Sequence, residues 1–282
     1  LLSIGLFFLN GLNFGIDFKG GTLIEIETQN KIEISEVRSS LNSLSLGDVQ
    51  VQEFGSDKNL LIRIEQQQGG DQIQQNVLEI VKQKLMNDIS ETINFRRTEV
   101  VGPKVSGELI QSGTIAILVA VFAMLIYIWL RFEWQFSLGA VIALLHDVIL
   151  TIGVFCLTQL EFNLPIIAAI LTIVGYSMND TVVVYDRVRE NLRKFRSKEI
   201  TSLLNLSINE TLSRTIVTSV TTLLALVSLY IFGGEVIKGF TFAMIWGVLV
   251  GTYSSIFVAA PLLTYLDVKR EWNTTTAVDS TK

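Results

Sequence analysis

Asp180 lies in LPIIAAILTIVGYSMNDTVVVYDR, an apolar run long enough to cross a bilayer. About 20 apolar residues at about 1.5 Å each span the hydrocarbon core. An ionised carboxylate inside such a span costs about 2.5–3.5 kcal/mol on insertion scales, so it points to a partner, a cavity or a proton path. Asp147, next to His146, lies in the middle of a second run, FSLGAVIALLHDVILTIGVF, and Arg214 opens a third. Burial and a nearby cation act on a carboxyl's proton affinity in opposite senses, which suits a group that must both take and release protons.

Depth brings two of these groups to a similar level. Counting inward from Leu164, Asp180 lies about 7–8 Å on the cytoplasmic side of its span's midpoint. Arg214 lies about 12 Å on that side of the midpoint of the next span. An arginine can cover that difference and pair with Asp180, with the hydroxyls of Thr215, Thr218, Thr221 and Thr222 close by. Blander readings stand beside this one. Arg214 also fits a side chain snorkelling to the interface. Asp180 fits a hydrogen-bonded packing residue. Asp147 and His146 fit either a relay or a fixed interhelical hydrogen bond. His146 is the only histidine, so a metal site is not expected; no cofactor is expected either, and protons are the expected coupling ion of a carboxylate that can take and release them.

The elements that carry these residues follow from composition. The 282-residue chain has 17% charged residues and a mean hydropathy of +0.47; soluble domains carry about 25% charge. A net charge of −5 argues against nucleic acid as a partner. The single Cys156 lies in an apolar span and allows no intrachain disulfide. Residues 1–13 read as the end of a truncated first membrane helix. Residues 14–112 read as a soluble domain, and 113–267 as five further spans, at 113–130, 137–158, 164–186, 212–232 and 240–262. Residues 268–282 form a tail. Arg131, Arg187, Arg189, Arg193, Lys194, Arg196, Lys198, Lys269 and Arg270 crowd one set of connections, whereas the opposite loops hold only Lys238. Positive charge collects on the cytoplasmic side, so both termini are expected inside and the soluble domain outside. Segment 187–211, with Val188, Leu192 and Phe195 on one face, predicts an amphipathic helix at the inner surface.

Periodicity organises residues 14–112. Ile24 and Ile26 alternate with Glu25 and Glu27, predicting a half-buried strand. Val49 and Val51, then Leu60, Ile62 and Ile64, predict two more, and NFRRTEVV a weaker fourth. Ile34, Val37, Leu41 and Leu44 have helical spacing. Ile73, Val77, Ile80, Val81, Leu85 and Ile89 mark a longer helix. The order β-α-β-β-α-β predicts a ferredoxin-like α+β domain. The expected core is Ile24, Ile26, Val51, Ile62, Ile64, Val77, Val81 and Leu85, with no catalytic cluster. Gly247 with Gly251, and Gly139 with Ala143, are small residues at close-packing spacing, serving either internal packing or a partner.

Six segments together resemble the bacterial SecF family: GLNFGIDFKGGT (11–22), VGPKVSGEL (101–109), LLHDVILTIGVF (144–155), VGYSMNDTVVVYDRVREN (174–191), NETLSRTIVTSVTTLL (209–224) and GVLVGTYSSIFVAAPLL (247–263). The resemblance covers nearly the whole chain. It implies a polytopic α-helical protein of the bacterial inner membrane, half of a resistance–nodulation–division architecture with one plus five membrane helices and a periplasmic domain. It implies a non-enzymatic subunit that pairs with SecD and uses the proton-motive force to assist protein export. SecYEG, YajC, translocating preproteins and membrane lipids are the further partners implied. The acid of the family's G-Y-S-x-N-D motif falls on Asp180 and the arginine of L-S-R-T on Arg214. Many exporters of the superfamily have two adjacent acids where this chain has Asn179 and Asp180, which implies a carboxylate supplied by SecD. Competing classes are an intramembrane aspartyl protease built on Asp147 and Asp180, a passive assembly factor, and half of a small-molecule or lipid exporter.

Overall fold

The computed structural model describes residues 1–67, 71–89, 92–266 and 268. The expected tail, with Lys269 and Arg270, lies outside the described residues, Val268 excepted. The chain divides into two compact units. One comprises Leu1–Gly11, Ile117–Thr158 and Ile166 onward; the other comprises Leu12–Ala116 and Gln159–Pro165.

The second unit is a four-stranded antiparallel sheet with helices on one face. A short helix α2 (Ile16–Lys19), preceded in the other unit by α1 (Leu2–Leu9), leads into β1 (Gly21–Glu27), α3 (Ile34–Asn42), β2 (Val49–Phe54), β3 (Ser56–Ile64), α4 (Asp71–Asp88) and β4 (Asn94–Val101). The strand order is β2-β3-β1-β4, so β1 is central. It pairs Ile24 with Ile62 and Ile26 with Leu60 on one side, and Ile24 with Thr98 on the other. The strand and helix order is the one that periodicity predicts. All eight expected core residues are buried together, with Val37 and Leu41 of α3.

Two expectations need correction. Ile73 and Ile80 of α4 are exposed, at 39% and 47%. Val77, Val81 and Leu85 recur every four residues and form the buried stripe, which Gln74 completes at 0% exposure; Ile73 and Ile80 fall beside it. Glu25 was expected on a solvent face but is 7% exposed. The sheet face opposite the helices is also covered. Ile16, Leu23 and Leu61 cluster there, and residues 159–165 join the same unit. The Phe162 N–H donates to the Asn13 carbonyl and the Gly15 N–H to the Phe162 carbonyl. Arg63 on β3 pairs with Glu161. Removing the Leu85 side chain is expected to lower the stability of this unit by about 2–5 kcal/mol. Ile80→Ala is expected to change it by no more than about 0.5 kcal/mol. Hydrogen exchange of the β1 amides reads both.

The first unit is helical. Among the described residues, five helices are long and apolar enough to cross a membrane: α5 (Pro103–Arg131), α6 (Trp134–Thr158), α7 (Leu164–Lys194), α8 (Ile200–Phe232) and α9 (Glu235–Ser254). The last continues through a π-helical turn at Ser255–Ala259 into α10 (Ala260–Leu262). The turn has a cause in the sequence. Pro261 has no N–H and its ring crowds the carbonyl four residues back, so the helix widens just before it. The expected amphipathic helix over 187–211 does not form as a separate element. Residues 187–194 extend α7, and 200–211 open α8. No Gly or Pro interrupts the helix after Asp186, and Val188, Leu192, Leu203 and Leu204 bury one another's apolar face.

Candidate functional site

Asp180 sits on α7, half-buried, where α8 and the π turn meet it. Thr215 on α8 donates its hydroxyl to Oδ1 at 2.6 Å. Ser255, the first residue of the π turn, donates to Oδ2. Both donors are themselves buried, at 1% and 0% exposure. An ionised carboxylate is an acceptor only; once protonated it carries a donor of its own. A proton on Asp180 therefore changes what α8 and the π turn can offer it.

Arg214 is not part of this contact. Its side chain is exposed, and among the described residues no ion pair joins it to Asp180. Successive residues point about 100° apart around a helix, so when Thr215 faces α7 its neighbour Arg214 faces away. Depth alone could not show this. Asn179 is exposed for the same reason. Thr218 is exposed too and returns its hydroxyl to the Arg214 and Thr215 carbonyls of its own helix.

Asp147 is more enclosed, at 0% exposure on α6. Its Oδ2 accepts from Ser177 of α7 at 2.5 Å and from Ser254 of α9 at 2.7 Å. Its Oδ1 lies 3.0 Å from His146 Nδ1. The carboxylate thus ties three helices together. Tyr185, also fully buried, donates its hydroxyl to the Ala259 carbonyl at the end of the π turn, one of the groups that turn leaves available. Ser219 of α8 and Thr252 of α9 lie 2.7 Å apart. Ser177, Ser254, Ser255 and Tyr185 were not singled out in the sequence. The usable signal was spacing. Ser177 precedes Asp180 by three residues on the same helix face, and Ser254–Ser255 interrupt an apolar run six residues before a proline.

The small residues let these helices approach. A side chain at Gly247 would run into Ile173 of α7, and one at Gly251 would press on Ser177, the residue that holds Asp147. One at Gly139 would meet the Tyr185 hydroxyl. These glycines therefore serve packing within the chain. Gly247→Leu is expected to overpack the α7–α9 contact and cost about 1–3 kcal/mol, read as a lower unfolding temperature in detergent.

Away from the site, Asp186 accepts two hydrogen bonds from Arg131 at 2.8 and 3.0 Å. Among the described residues no cluster of His, Cys, Asp and Glu could hold a metal ion.

Two family models match the chain. The C-terminal region of the SecD/SecF protein export membrane proteins covers residues 81–269, and the SecD/SecF GG motif covers residues 5–32. The protein translocase subunit SecF of Rickettsia bellii (strain OSU 85-389) is 50% identical over 258 residues, 92% of this chain and 84% of that one. Its counterpart from Cereibacter sphaeroides is 49% identical over 266 residues, 92% of this chain and 82% of that one. The crystal structure of SecDF from Thermus thermophilus, titled a translocon-associated membrane protein, superposes with a TM-score of 0.83 at 36% identity, over 94% of this chain and 36% of that one. With carboxylates held between apolar helices and this similarity along most of its length, the chain belongs to the SecF family of protein translocase subunits.

Proposed function

We propose that this chain is the half of a SecD–SecF complex that converts proton movement across the bacterial inner membrane into work on exported polypeptides at the Sec translocon. The observation that carries this reading is Asp180, a carboxylate on a membrane-spanning helix whose two donors come from two other helical segments. Protonation at that point alters three segments at once. A full charge crossing is worth about 2.3 kcal/mol per 100 mV, several times RT, enough to bias arrangements that differ by a few kcal/mol.

In this reading Arg214 is the counter-charge of the ionised state. It lies one residue, about 100° of helix, from Thr215. Rotation of α8 that withdraws the Thr215 hydroxyl brings the guanidinium round toward α7. Arg214 then alternates with Thr215 as the group facing Asp180. The paired antiparallel sheet is read as a ferredoxin-like domain in the periplasm, with both chain termini in the cytoplasm. The chain supplies the five spans of α5 to α9. The missing acid of the superfamily pattern, beside Asn179, is assigned to SecD.

Two experiments test this. A cysteine reporter at Asp57, exposed on β3, is expected to react with an impermeant reagent from outside, and one at Lys194 is not; the reverse labelling would overturn the orientation. For the coupling, preprotein import is measured in inverted vesicles holding the complex with SecD, with and without an uncoupler. The complex is expected to stimulate import only while the gradient stands. Equal stimulation after uncoupling would favour a passive assembly factor.

A further inference from the structure

The two intramembrane carboxylates are received by consecutive residues. Ser254 donates to Asp147 at 2.7 Å, and Ser255 donates to Asp180. Consecutive Cα atoms are about 3.8 Å apart, so the two acids share one stretch of backbone, and that stretch is the entry to the π turn.

Each serine also has a second acceptor on its own helix. The Ser254 hydroxyl lies 3.2 Å from the Gly251 carbonyl, and the Ser255 hydroxyl lies 3.0 Å from the Thr252 carbonyl. A hydroxyl has one proton to give. While Asp180 is ionised, the charged acceptor wins it, since hydrogen bonds to charged groups are roughly twice as strong as neutral ones. When Asp180 is protonated the acceptor is neutral, and the Ser255 hydroxyl turns back to Thr252. Returning a serine hydroxyl to a carbonyl of the preceding turn bends a helix. Here it does so where the hydrogen-bond ladder is already displaced, with Ala260 N–H on the Ser255 carbonyl and the Tyr185 hydroxyl on the Ala259 carbonyl.

We infer that Ser254 and Ser255 are positioning residues that couple Asp147 to Asp180 through the π turn, so that the protonation of one carboxylate resets the hydrogen bonds of the other. Asp147 is then a second member of the proton-coupling site. This rests on the proposed proton-coupled function and adds to it a second acid and the segment that links the two. Ser177, for which the bare Gly251 leaves room, donates to Asp147 at 2.5 Å and holds the far side of the link.

The test uses the full chain with SecD in vesicles. The carboxyl band of Asp147 is followed by isotope-edited infrared spectroscopy and assigned by its loss in Asp147→Asn. Asp180→Asn is expected to move that band, or to shift its titration midpoint by about one pH unit, the scale of an interacting pair. Ser255→Ala is expected to remove more than half of this response, and Ser255→Thr, which restores a hydroxyl, to recover it. Proton flux is measured on the same samples. An Asp147 band that is the same with Asp or Asn at position 180 would overturn the coupling, as would a response undiminished by Ser255→Ala. Flux lost in Asp180→Asn with an unmoved Asp147 band refutes only this inference. Flux retained in Asp180→Asn refutes the proposed function itself.

Discussion

Asp180→Asn is expected to assemble normally with SecD and to lose its gradient-driven stimulation of export. The amide has nearly the shape of the carboxylic acid, and its oxygen still accepts from Thr215, so the α7–α8 contact persists, while the Ser255 hydroxyl turns back to the Thr252 carbonyl as it does beside the protonated acid. What it lacks is a charged state. The hydroxyls never face an ionised acceptor, and Arg214 never gains a counter-charge. The loss should be near complete in gradient-dependent export and small in thermal stability. Arg214→Lys should also impair export, because an ammonium lacks the planar fork that meets a carboxylate through two hydrogen bonds. Asp186→Asn should be mild. Asp186 pairs with Arg131 where both side chains are 43% exposed, and exposed ion pairs contribute about 0–1 kcal/mol. Stimulation by Asp180→Asn at the level of the unaltered chain would refute the mechanism.

Arg63→Ala is expected to destabilise the sheet unit far more than an ordinary surface change. Arg63 and Glu161 are paired with side-chain exposures of only 12% and 23%. Removing one partner of a buried pair strands the other and costs about 3–5 kcal/mol; the residual exposure of Glu161 places this case near 3 kcal/mol. Burial already pushes the Glu161 carboxyl above the usual range, with Asp17 adding to the effect and Arg63 and Arg97 opposing it. Without Arg63 it moves further up. A carboxyl whose folded pKa is raised stabilises most when protonated, and that stabilisation is lost as pH rises through the folded value. The deficit of Arg63→Ala should therefore be largest at pH 8 and shrink as the pH falls toward 5. Adding Glu161→Gln should recover much of it, since no buried charge then remains. Hydrogen exchange of β1 against pH tests this; a deficit independent of pH would contradict the argument.

The reading of the sequence was strongest where burial follows a simple period. Ile24, Ile26, Ile62 and Ile64 alternate and pack on one sheet face, and Val77, Val81 and Leu85 recur along one helix stripe. It failed where burial depends on chain far away. Glu25 sits on a face covered by α2 and by residues nearly 140 positions downstream, and no local pattern carries that information. At the site, hydropathy located Asp147 and Asp180 because charge in an apolar run is conspicuous. The serines that hold them are weakly polar and common in membrane helices, so they did not stand out. The azimuth of Arg214 was not legible either, because a depth count ignores the direction in which a residue points. The π turn at Ser255–Ala259 was not anticipated either, although the N–H that Pro261 cannot provide is its local cause.

The most direct test of the central claim is proton flux itself. Vesicles carrying the complex of this chain with SecD, loaded with a pH-sensitive dye, are given a proton gradient, and the internal pH is followed with Asp or Asn at position 180. Flux is expected through the unaltered complex and none above the lipid background in Asp180→Asn, at equal amounts of assembled complex. Equal flux through both would contradict it.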